Sequence, residues 1–397
     1  RDIIGPDKMI HVQTVQKKAE DIVEEAKFLK KEMMLTAALV AAIASMFLSK
    51  PDLSLVQNID WKTLATLFML ITVLEGFKKE DIFVPIIKKT IKISSMIGLT
   101  CFFVYSVFFS SMFVTNDVSL IIFVPLTIFL FRAGNQEKYI LPVLTLENIA
   151  AIRGSLLTPF GSPQNLFLYS QSGISASSFV IMMLPLWLMS FVILFFFIAM
   201  LYRKNLKLSI EVKSSDVCGE WKKEGRFKRI LYIFLFVLVI LCIVTRTSLW
   251  PFVTLFVALS LLIFDRKILL KTDYVLLLTF FCFFVFSSSI CRNHAVSEFL
   301  MDSVKGNEYW WSIILSQLIS NVPASIVLWP FSSDLKGLLY GLDSAGLCSI
   351  IGSLASVINL RIYSQEYPGN GSRFMKVFTL ISLAFFAIVV IPQWLML

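Results

Sequence analysis

Part of this sequence is written twice, and the copies constrain the fold more than any single residue does. Thr115-Asn116-Asp117 is followed by an apolar run to Pro125, and Ser320-Asn321-Val322 by another to Pro330. Both landmarks are displaced equally, since 321 − 116 = 205 and 330 − 125 = 205. Farther along, NLFLYSQ at 165–171 returns as NLRIYSQ at 359–365, a displacement of 194, after Gly161-Ser162 has been echoed by Gly352-Ser353. The displacement changes between motifs, so the loops diverged while the motifs stayed. Polar segments repeated inside hydrophobic chain point to two halves that meet at a site near the middle of a bilayer, the arrangement of secondary transporters.

A chain of 397 residues that is 57% hydrophobic and 16% charged, with 37 Phe, cannot hide its apolar surface in one water-soluble core. The expected class is an all-α polytopic membrane protein. A net charge of +9 would suggest nucleic acid in a soluble domain, but here the basic residues sit in short loops between apolar runs, where they set membrane orientation. Nucleic-acid binding is not expected. Six Cys and two His (His11, His294) lack CxxC or HxxxH spacing, which argues against a disulfide framework and a metal site.

The expected organisation is a cytosolic amphipathic segment (1–32), a first transmembrane repeat (33–202), a basic cytoplasmic loop with a linker span (203–248), and a second repeat (249–397). The chain opens on Arg1 rather than Met, which leaves room for an upstream helix. Spans are expected at 33–49 and 61–76, with Trp61 as interfacial anchor and Glu75 near the end. The basic stretch containing Lys78, Lys79, Lys88, Lys89 and Lys92 then faces the cytoplasm and holds the N-terminus inside. Residues 93–131 are too long for one span and read as a re-entrant hairpin of two short arms, its tip at Thr115-Asn116-Asp117. Residues 139–169 read as a helix broken at Thr158-Pro159-Phe160-Gly161-Ser162-Pro163, where two prolines and a glycine stop a regular helix. Ser162 before Pro163 has the form of an N-cap with a first-turn proline.

After a span at 179–201 and a linker span at 230–244, the same order is expected again. Spans at 252–264 and 274–289 are separated by a loop carrying Arg266, Lys267 and Lys271. A hairpin at 310–331, a broken helix at 338–363 and a closing span at 378–395 follow. Because one linker span intervenes, the second unit runs inverted, giving two inverted repeats, each with a re-entrant hairpin and a broken helix. The inner loops then carry roughly 22 Lys and Arg against roughly 6 outside.

Two tips and two breaks put four polar interruptions in the apolar region. Free amide ends there attract anions, and free carbonyl ends coordinate Na⁺ or accept proton-linked contacts. The candidate substrate residues are Thr115, Asn116, Ser162, Asn165, Ser320, Asn321, Ser353 and Arg153. Those for a coupling ion are Asp117, Thr158, Gly161, Gly352 and Asp343. The plainer reading of the hydroxyls and of Asp117 is helix capping, and that of Asn165 and Asn359 is interhelical hydrogen bonding. Arg153 has three open readings: it binds an anion, it neutralises Asp117 or Asp343, or it lies nearer cytoplasmic water than the span assignment says.

The segments VTNDVSLIIFVP (114–125), GSLLTPFGSPQN (154–165) and SNVPA (320–324) resemble the bacterial ion-transporter superfamily, which includes citrate and dicarboxylate carriers, arsenite permeases and sodium-proton antiporters. The similarity runs from about residue 33 to the end. It implies inverted repeats, a scaffold that often forms a homodimer, and an elevator-like movement. In the carboxylate branch the tips read Ser-Asn-Thr and hold Na⁺ and substrate. Here Thr115-Asn116-Asp117 and Ser320-Asn321-Val322 are closer to the arsenite and antiporter branch. The function expected is coupled transport of a small anion, carboxylate or inorganic oxyanion, with Na⁺ or H⁺ and no other cofactor. An arsenite-type permease or sodium-proton antiporter is the alternative, with an ion channel ranked below both. No nucleophile and base pair supports an enzyme.

Overall fold

The computed structural model describes residues 35–36, 38–47, 59–80, 93–205, 208–210, 226–245 and 247–397. The amphipathic segment expected at 1–32, the basic residues Lys88, Lys89 and Lys92 and residues 211–225 of the long loop lie outside the described residues.

The described chain is an all-α membrane fold, its only β pairing an isolated bridge between Ser95 and Ser209. Its helices are α1 (Ala38–Phe47), α2 (Trp61–Lys79), α3 (Met96–Val114), α4 (Asn116–Ala133), α5 (Ile140–Ser155), α6 (Pro163–Ser172), α7 (Ala176–Leu201) and α8 (Arg226–Thr245). There follow α9 (Trp250–Lys271), α10 (Tyr274–Arg292), α11 (His294–Val304), α12 (Glu308–Ile319), α13 (Asn321–Leu328), α14 (Leu335–Cys348), α15 (Leu354–Glu366) and α16 (Gly371–Leu395). Among them α3, α7, α8, α10 and α16 are long and apolar enough to cross a membrane. Ile181, Phe195 and Phe196 of α7 and Leu380, Ile391 and Leu395 of α16 stand exposed, an outer surface suited to lipid.

The chain turns where the polar triplets predict, with α3 giving way to α4 at Thr115 and α12 to α13 at Ser320. The arms of the first pair are not short, however. They run 19 and 18 residues, about 28 Å each, whereas the second pair has 12 and 8. A second difference lies in α9. Arg266, Lys267 and Lys271, expected in a loop, continue the helix past a kink at Asp265 (φ −157°, ψ 64°). The bend is held because the Asp265 carboxylate accepts from Lys79 Nζ of α2 at 2.7 Å and from the Tyr232 hydroxyl of α8 at 3.0 Å. Lys228 adds a third contact at 3.5 Å. One buried carboxylate thus ties three helices together.

The apolar residues form two cores, and each broken helix passes from one to the other. Helices α3, α4 and α5 pack together through Phe103, Phe123 and Leu144, and with them lie Ala355, Ile358 and Ile362 of α15, from the far end of the chain. The other core joins α2, α8, α9, α10 and α14, and it takes in Leu166, Phe167 and Tyr169 of α6. Accordingly α15 packs on α4 and α5, while α6 packs on α13 and α14.

Close approach of α3 and α5 depends on Gly154. A Cβ there would sit 1.9 Å from the Phe108 carbonyl oxygen and 2.5 Å from Ser111 Oγ. Gly154→Ala should therefore lower stability by about 1–3 kcal/mol, the usual cost of overpacking. Thermal unfolding of the detergent-purified protein would read this as a lower midpoint. An unchanged midpoint would mean that the two helices do not pack at this distance.

Candidate functional site

Both tips use the same strained backbone. Thr115 adopts φ 72°, ψ 157° and Ser320 φ 71°, ψ 158°, a region close to glycine-only for an L-residue. Each residue is the N-cap of the helix that follows, yet neither side chain caps it. The two breaks also match. Ser162 (φ −149°, ψ 153°) heads α6 and Ser353 (φ −146°, ψ 139°) heads α15, again with no side-chain capping bond. Elsewhere in the described residues, Asp60, Ser95, Ser175, Asp273 and Asp334 head helices and do cap them. The capping expected of the four interior hydroxyls is therefore absent, and the Ser162 hydroxyl is buried with no hydrogen-bond partner at all. Four helix N-termini keep their first amides free of their own N-cap side chains.

Glycine makes the breaks tight. A Cβ on Gly161 would lie 2.1 Å from the Ser155 carbonyl oxygen, and one on Gly352 would lie 2.2 Å from that of Ala345. This backbone approach explains the repeated glycine without requiring a bound ion. Each break is also stitched to the first arm of its own tip. The Thr158 hydroxyl donates to the Met112 carbonyl of α3. Gln317 of α12 donates to the Ala345 carbonyl at 3.1 Å and accepts from the Ser349 hydroxyl at 2.6 Å.

Arg153 lies fully buried, which removes the reading that put it near water. Its Nη1 donates to Ser344 Oγ at 3.4 Å, while Nε and Nη2 have no partner. Asp343 is close enough to act on it electrostatically but forms no hydrogen bond or ion pair with it. Instead Asp343 Oδ1 accepts from Gln164 Nε2 at 2.9 Å, leaving Oδ2 without a partner. Asn165 donates to Leu156 O at 3.5 Å, and its Oδ1 is unpartnered. Gln393 Oε1 accepts from Tyr309 at 2.9 Å and Ser344 at 2.7 Å, with its Nε2 unpaired. The Arg153–Ser344 bond thus joins α5 to α14, and the Gln164–Asp343 bond joins α6 to α14, around a buried group whose donors and acceptors are only partly matched.

Asn116 and Asn321 are buried at their tips, where Asn116 Oδ1 accepts from the amide of half-buried Asp117 at 2.9 Å. Asn359 makes the expected interhelical bond, donating to Leu144 O at 2.7 Å. Gln164, Ser344, Tyr309 and Gln393 belong to this group without lying in either repeated tip. Gln164, a polar residue beside Asn165 in an apolar half-helix, carried a signal. Gln393, near the end of an ordinary span, carried none.

Residues 26–352 match the family model described as citrate transporter. The chain is 31% identical to an uncharacterized transporter of Methanocaldococcus jannaschii over 306 residues, 77% of this chain and 81% of that protein. It is 30% identical to the inner membrane protein YbiR of Escherichia coli, over 78% of this chain and 81% of that one.

The strained tips generate a stability prediction. Glycine adopts φ near +70° without penalty, so Thr115→Gly and Ser320→Gly should not lower the unfolding midpoint, and each should gain about 1 kcal/mol after the entropy of the added glycine is subtracted. A glycine at a tip frees the positions of the first amides, so uptake should fall in the same variants. Loss of stability in both would mean that the hydroxyl side chains, not the backbone, hold the tips.

Proposed function

The chain belongs to the citrate transporter family, and from that membership we propose that it is a secondary active transporter of a small carboxylate or inorganic oxyanion, driven by Na⁺ or H⁺. It works in the cytoplasmic membrane with its N-terminus inside. Alternating access comes from an elevator-like movement of the part that contains the tips and breaks. The observation that carries this reading is the unpaired edge of Arg153. Nε and Nη2 are the two guanidinium donors that grip a carboxylate or oxyanion side-on, and both lack a partner in a fully buried residue. The starts of α4, α6, α13 and α15, none capped by its own N-cap side chain, add positive helix ends, with Gln164 rather than Pro163 the first possible N–H donor of α6.

Asp343, whose charge reaches Arg153, supplies a counter-charge. A carboxylate beside the anion is unfavourable unless it carries a proton or a cation, which links anion loading to the coupling ion. The resulting order is cation or proton first, anion second, and movement third.

Uptake into proteoliposomes tests this directly, with citrate, dicarboxylates, arsenite and phosphate offered under separate Na⁺ and pH gradients. A carrier gives saturable, uphill accumulation of at least one anion, whereas flux that only runs down its own gradient would sink the reading in favour of a channel. Arg153→Lys keeps the charge but loses the side-on pair. KM for the accepted anion should rise about tenfold or more, the worth of one charge-assisted hydrogen bond, with the maximal rate less affected. An unchanged KM would remove Arg153 from the anion site.

A further inference from the structure

A second buried polar group lies where α4, α5 and α15 meet, and its unpaired atoms are all of one kind. Glu147 is fully buried, with Oε1 accepting from the Thr127 hydroxyl and Oε2 unpartnered. Asn148, also fully buried, donates through Nδ2 to Ser356 Oγ at 3.0 Å and leaves Oδ1 without a partner. Asn359 donates to Leu144 O and likewise leaves Oδ1 unpaired. Its orientation is fixed, because a carbonyl can only accept. The three helices pack on one another, and Leu144, Glu147 and Asn148 are neighbours on α5. Around Arg153 the orphans include both donors and acceptors. Here they are three acceptor oxygens and no donor.

We propose that Glu147 Oε2, Asn148 Oδ1 and Asn359 Oδ1 form a binding site for a dehydrated monovalent cation, Na⁺. One carboxylate matches one positive charge, so the loaded site is neutral in a setting that does not tolerate a bare ionised group. A proton on Glu147 would satisfy its own oxygen and a single amide oxygen, leaving the third acceptor stranded, whereas a cation serves all three. A divalent ion would leave the single carboxylate with an uncompensated positive charge in the apolar interior. The site also spans the junction that holds the second broken helix in the first core, so filling it tightens α15 against α5. The cation site stands on its own atoms. Its role as the coupling ion rests on the transport reading above.

The test is thermal unfolding of the purified protein with no anion present, at fixed ionic strength, with choline replaced by Na⁺. The wild-type midpoint should rise by roughly 2–5 °C. Glu147→Gln, which keeps the Thr127 contact and removes the charge, should lose that increment while staying at least as stable as wild type in choline. Should Glu147→Gln fail to fold, Asn148→Ala should still raise the Na⁺ concentration at half-effect about tenfold or more. Variants that respond to Na⁺ as wild type does would overturn the site. So would a wild-type protein indifferent to Na⁺ whose stability instead steps with pH in a Glu147-dependent way, since that describes a proton carrier. In proteoliposomes Glu147→Gln should lose Na⁺-driven accumulation. A failed anion panel would bear on the transport reading and leave the Na⁺ shift untouched.

Discussion

The passage of each broken helix from one apolar core into the other is the constraint on which the described structure rests. A helix can unwind inside the hydrocarbon layer only if the freed backbone groups are screened by protein, and the crossing supplies that screen. Between Ser155 and Pro163 the chain leaves the core built on Phe103 and Leu144 and enters the one containing Leu166 and Phe167. Between Cys348 and Leu354 it makes the reverse journey. Every polar interruption therefore has packed helices around it. The near-contacts at Gly161 and Gly352 mark how tightly the two crossings are drawn.

Within this frame the buried charges divide by chemistry. Arg153, close to the break that ends α5, presents unpaired nitrogens, and Glu147, six residues earlier on the same helix, presents an unpaired oxygen. Unmatched polar atoms are costly in a low-dielectric interior and are retained where a bound species completes them.

The sequence made much of the layout legible because it depends on local rules. Apolar runs gave spans, proline with glycine gave the first break, and the Asn116 and Asn321 landmarks gave turns whose backbone angles proved nearly identical. Asp60 and Asp273, each followed by an aromatic residue, both cap the helices they precede. What stayed hidden depends on residues far apart in the chain. The pairing of Gln164 with Asp343 spans 179 positions and that of Lys79 with Asp265 spans 186. No spacing rule reports such contacts. Arg266 and Lys267 looked like a loop because charge inside a span is rare, and only the grip of Lys79 and Tyr232 on Asp265 lets the helix bend instead of ending. The length of the first arms was hidden for a different reason, since an apolar residue beside another helix and one facing lipid look alike in composition.

The exchange of half-helices has a consequence for the origin of the chain. A polypeptide carrying only one of the two copies would have an unfilled slot in its own core and a half-helix with nowhere to pack. Two such molecules would complete each other, each lending its half-helix to its neighbour, as in a domain-swapped pair. Within one chain both slots are filled at a fixed effective concentration, whatever the concentration of the protein.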